Sequence, residues 1–74
     1  MRRLRIEVEG MHCKSCQMLV TEELEDAGAS DIAVTLDTAA RKGVVECSTS
    51  LPPEQVAKLI ESAGSYRAVK TEEL

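Results

Sequence analysis

Polar and apolar residues alternate strictly from Arg3 to Glu9, with Leu4, Ile6 and Val8 on one side and Arg5, Glu7 and Glu9 on the other. A side-chain period of two is that of a strand buried on one face, and Gly10 ends it. The period then changes. From Ser15 to Ala27 the apolar positions Cys16, Leu19, Val20, Leu24 and Ala27 recur at three and four, the stripe of an amphipathic helix, with Gly28 as its stop. Alternation returns at Ile32, Val34 and Leu36, and the polar stretch Asp37 to Gly43 turns the chain into a third strand at Val45, Cys47 and Thr49. Leu51-Pro52-Pro53 breaks the pattern. Pro53 suits the first position of a helix, where its missing N–H would be unpaired anyway. Val56, Leu59, Ile60 and Ala63 supply that helix's buried stripe before Gly64, and a shorter strand from Tyr66 to Thr71 precedes an acidic tail.

The order is βαββαβ, an α+β pattern of two split βαβ halves. A weak internal echo supports the division: Leu24-Glu25-Asp26-Ala27-Gly28 resembles Ile60-Glu61-Ser62-Ala63-Gly64, each at the end of its helix. Right-handed crossovers put both helices on one face of a four-stranded antiparallel sheet. Arg5, Glu7, Glu9, Thr35 and Glu46 are then left on an open polar face. A chain of 74 residues makes one domain, residues 1–74, and buries only about 60% of its unfolded surface.

Composition narrows what such a domain can do. With no Trp, no Phe and one Tyr, the core is built from Val, Leu, Ile and Ala, without rings to wall a pocket for an organic substrate, which argues against an enzyme. A net charge of −4 argues against nucleic acid, whose phosphates require an excess of Lys and Arg, and favours a basic partner surface. The charged alternation of the N-terminus is neither a signal peptide nor a membrane span, so direct membrane insertion is not expected. Three cysteines, an odd number, fit reduced thiols in the cytoplasm better than a secreted disulfide framework.

The candidate chemistry lies in Gly10-Met11-His12-Cys13-Lys14-Ser15-Cys16, which joins the first strand to the first helix. Cys13 and Cys16 can direct both sulfurs at one point when the first lies in the loop and the second in the first helical turn. Unpaired helix N–H groups, the positive end of the helix dipole and Lys14 all favour thiolate there. Two thiolates without further strong ligands suit a soft ion of low coordination number, Cu(I) first, with Ag(I) or Hg(II) as mimics, whereas structural zinc wants four ligands. The spacing alone leaves Zn(II) and Cd(II) open. The second half carries Thr49 and Pro52 where the first carries the cysteines, so the site is single. Cys47 alternates with Val45 and is expected in the core as a small hydrophobe. Met11 is read as a loop anchor before a ligand, His12 as a solvent-facing loop residue, and the run Glu22, Glu23, Glu25, Asp26 as a solvated helix face that could also dock a partner.

Gly-Met-X-Cys-X-X-Cys after the first strand of a βαββαβ chain of this length resembles the heavy-metal-associated domain of copper chaperones and copper-transporting P-type ATPases. Val20 and Leu24 on the first helix and Ala63-Gly64 before the last strand extend the resemblance over nearly the whole chain. It implies a ferredoxin-like fold, Cu(I) held by Cys13 and Cys16, Met11 tucked beneath the loop, and metal passed by thiolate exchange to such an ATPase or another metal-accepting domain. Two departures stand out: His12 replaces the Thr or Ser common in copper-handling members, and Ser65 separates Gly64 from Tyr66. The expected protein is a cytoplasmic copper chaperone, monomeric or bridged by metal into a dimer. The alternatives are a domain excised from an ATPase, a zinc, cadmium or mercury-binding relative, or a CxxC thiol–disulfide protein, although the chain lacks the longer helical layer of a thioredoxin.

Overall fold

Each change of period along the chain marks a change of element in the structure, a computed structural model that describes residues 2–11, 14–37, 39–64 and 66–74. The elements are β1 (Arg2–Glu9), α1 (Lys14–Asp26), β2 (Ser30–Asp37), β3 (Lys42–Thr49), α2 (Pro53–Ser62) and β4 (Arg67–Glu73). The strands form one antiparallel sheet in the order β2-β3-β1-β4, the ferredoxin-like arrangement. Its register brings Leu4 opposite Cys47, Ile6 opposite Val45 and Val8 opposite Gly43. The inward sides of β1 and β3 therefore share one face. Leu4, Ile6, Val8, Val45 and Cys47 are fully buried there, against Val20 and Leu24 of α1 and Val56 and Ile60 of α2. Burying a side chain of this size stabilises the fold by about 1.5–3 kcal/mol relative to leaving it exposed. Cys47 is thus in the core, as its alternation with Val45 requires. Arg5 pairs with Glu46, and Thr35 with Val44, on the opposite, polar face.

Three details differ from the sequence reading. Leu19 was expected in the buried stripe of α1, but it is 46% exposed. The helix is buried along a single line, Cys16, Val20 and Leu24, and Leu19 lies about 100° round the axis from Val20. A helix that covers only one sheet face in so small a domain buries one narrow line. Leu59 on α2 is likewise only half-buried. The last strand begins after Tyr66 and runs on through the expected acidic tail, because Glu72 falls opposite Arg5 and Glu73 reaches Arg2 at 3.7 Å. The register of β4 jumps from Glu7↔Lys70 to Val8↔Ala68, so Val69 is a bulge residue and stands 49% exposed.

The internal echo hides two different physical roles. Gly28 adopts φ +90°. The Ala29 N–H donates to Leu24 O at 2.9 Å and the Gly28 N–H to Glu25 O at 3.0 Å, the paired bonds of a Schellman ending. Gly64 has no left-handed φ; a Cβ there would lie 2.8 Å from Cε2 of Tyr66. It admits the ring.

Candidate metal site

Gly10 and Met11, which leave β1, and the start of α1 are tied to the rest of the fold at three points. Gly10 turns the chain at φ +88°, a region few residues other than glycine adopt, and its N–H donates to Arg41 O at 2.9 Å. Arg41 lies at the end of the β2–β3 hairpin, itself at φ +54°. Met11 follows, fully buried in the core cluster. Its side chain occupies the space above Gly43, where an ideal Cβ would come within 2.7 Å of the Met11 Sδ. On the far side, the Gln17 side-chain amide donates to Val34 O of the edge strand β2 at 3.2 Å and ties the start of α1 to the sheet.

Cys16 sits in the first turn of α1 and is 8% exposed. The first N–H groups of a helix have no intrahelical carbonyl to meet, and the aligned peptide dipoles place positive charge there. No acidic residue occupies the first turn of α1, whereas Glu54 occupies that of α2. The end of α1 thus carries no acid of its own first turn against the Cys16 thiol, and exposed Lys14 adds positive charge. The matching loop of the second half is locally complete. The Thr49 hydroxyl accepts the Leu51 N–H at 3.1 Å, and the Gln55 N–H donates to Pro52 O at 3.0 Å.

Cys13 and His12, expected as ligand and loop residue, lie outside the described residues. Cys47 does not join the site. It stands four residues along β3 from Gly43, about 13 Å at strand rise. Burial pushes its thiol above the ordinary 9.0, with nearby Arg3 pulling weakly the other way. A thiol held neutral in an apolar core is a poor nucleophile and a poor ligand. Tyr66 is half-buried with its ring folded over Gly64. It precedes Arg67, the partner of Glu9, and so lies at the loop end of the sheet. Sequence reasoning missed Gly43 and Arg41. A glycine inside a strand signals a close approach, but which residue approaches is a tertiary fact.

The family model of the heavy-metal-associated domain matches residues 5–65. The chain belongs to the heavy-metal-associated domain family. Solved structures agree with that fold. A heavy-metal-binding protein of Thermotoga maritima superposes with TM-score 0.66 at 22% identity, over 97% of this chain and 98% of that one. The yeast copper transporter domain Ccc2a, solved in apo and Cu(I)-loaded states, gives TM-score 0.62 at 19% identity, over 100% and 96%. The heavy-metal-associated domain of a copper chaperone for superoxide dismutase gives TM-score 0.62 at 30% identity, over 92% of this chain and 64% of that chain. No curated protein sequence matches the chain.

Proposed function

We propose that this heavy-metal-associated domain is a cytoplasmic carrier of one soft metal ion, Cu(I) as first choice, held by the thiolates of Cys13 and Cys16 and passed to a metal-accepting domain. The observation that carries the reading is the position of Cys16, in the first turn of a helix whose own first turn holds no acidic residue. The two thiols lose their protons as the ion enters, and the pair supplies the soft, low-coordinate donor set that Cu(I) prefers. Met11 stays below as an anchor, since its buried sulfur is already packed over Gly43. Transfer is ligand exchange: a partner thiolate bonds to the ion as one Cys–metal bond breaks, with no change of oxidation state. The yeast domain captured with Cu(I) and the copper chaperone domain support the same cargo here.

The exposed Glu22, Glu23, Glu25 and Asp26 of α1 lie on the helix that begins at the site. They suit a partner with a basic surface; the partner expected is a metal-accepting domain, that of a copper-transporting P-type ATPase first. Opposed charge of this kind acts mainly on the encounter rate. Among the described residues no helix is long and apolar enough to cross a membrane.

The deciding experiment is the metal content of anaerobically purified protein, with competition titrations of Cu(I) and Zn(II). One Cu(I) per chain, lost in Cys13→Ser and in Cys16→Ser, is expected. Tight zinc with weak copper would replace the cargo. Insulin reduction at rates of a thiol–disulfide enzyme would replace the function.

A further inference from the structure

The seat of Met11 is an absence. On the inward side of β3 the positions run Gly43, Val45, Cys47, Thr49, all buried, and only the first carries no side chain. Val8 lies opposite it across the sheet. Into that gap Met11 descends from the loop, so closely that a single carbon on Gly43 would meet Sδ at 2.7 Å and Cβ and Cγ at 3.4 Å. Ordinary contact between such atoms is about 3.5–4.0 Å. The adjoining Gly10 N–H bond to Arg41 O fastens the same loop to the same hairpin. Gly43 has no left-handed φ, so its backbone does not demand glycine; the space does.

We infer that Gly43 is a positioning residue for the metal loop: by leaving a slot in the β3 face it lets Met11 plug in and so sets where the following cysteines stand. This rests on the proposed soft-metal site. A binding constellation tolerates displacements of about 0.5 Å, and even the first carbon of a side chain in the slot requires Sδ to retreat by about 0.8 Å from 2.7 Å to reach contact; a larger, β-branched side chain leaves Met11 no seat. Val at position 43 adds three carbons and, as a β-branched residue, suits a strand. Ala at position 11 removes three heavy atoms, so the two changes together conserve core volume.

The test uses four proteins in a Cys47→Ser background: the parent, Gly43→Val, Met11→Ala, and Gly43→Val with Met11→Ala. Three quantities are measured: apo melting temperature, Cu(I) affinity by competition, and the alkylation rate of the apo thiols. Gly43→Val is expected to lower Cu(I) affinity at least tenfold and to speed alkylation of Cys16, which is 8% exposed in the native fold. In the double variant melting recovers toward the parent while affinity stays low and alkylation fast, because the volume is restored but the plug is gone. Affinity and melting recovering together would reduce Gly43 to a packing residue and overturn the inference. Unchanged affinity and alkylation in a folded Gly43→Val protein would also overturn it. If the parent binds no soft metal, the proposed function falls, and the alkylation rates still decide whether Gly43 positions the loop.

Discussion

Replacing Met11 by Leu separates an anchor from a ligand. Met11 is fully buried and packs over Gly43, so its removal is felt as lost packing. Leu conserves most of the apolar volume, and swaps of this kind usually cost under about 1.5 kcal/mol. For a domain of this size that is a fall in melting temperature of at most about 6–12 °C, at roughly 4–8 °C per kcal/mol. Truncation to Ala is a different perturbation. It leaves a cavity and costs about 2–5 kcal/mol, a large share of the total stability of roughly 4–11 kcal/mol that a chain this long can have. Leu is therefore the informative variant for this question, because it removes the sulfur with little loss of packing. If the sulfur only packs, Cu(I) affinity in a competition titration moves less than threefold and the apo melting temperature falls modestly. If the sulfur coordinates the ion, Met11→Leu removes a soft donor. The refuting result is a loss of affinity of tenfold or more, about 1.4 kcal/mol, with the apo melting temperature unchanged.

Cys47→Ser should leave metal stoichiometry unchanged, because the thiol is fully buried on the inward side of the sheet near Leu4; loss of copper from a variant still folded by circular dichroism would put that thiol in the site. The same residue shapes the alkaline limb of apo stability. A thiol whose folded pKa is raised favours the native state below the unfolded value near 9.0. That contribution is lost as pH rises through the folded value, so urea midpoints above about pH 9 should fall less steeply in Cys47→Ala. Gly28→Ala meets no neighbour within 4 Å and should cost only the backbone strain of φ +90°, about 1–2 kcal/mol, with unchanged m-value and metal affinity. Transfer to a basic partner should slow as salt shortens the Debye length below about 10 Å at 0.1 M, and a rate independent of ionic strength would remove docking by the acidic face of α1.

The order of elements was legible in the sequence because burial on one face writes itself as a period. Leu4, Ile6 and Val8 alternate, and Val20 with Leu24, and Val56 with Ile60, recur at four, as the sheet and helix geometries demand. The candidate chemistry stands out in the sequence for a different reason, since two thiols two residues apart have few other uses than metal or redox; the fold places Cys16 in the first turn of α1. Periodicity gives the line along which a helix is buried only approximately, and so Leu19 was placed inside when the tertiary fold turns it outward. Likewise the acid-rich end of the chain read as a tail, and only the register that sets Glu72 beside Arg5 makes it strand. The two glycines at the helix ends look alike in sequence. Gly28 answers to its own backbone angle and Gly64 to the ring of Tyr66 two residues on, both local, whereas Gly43 answers to the sulfur of Met11, which arrives from another segment. Local patterns record which face of each segment avoids water, and contact between segments distant along the chain is settled only when the sheet brings them together.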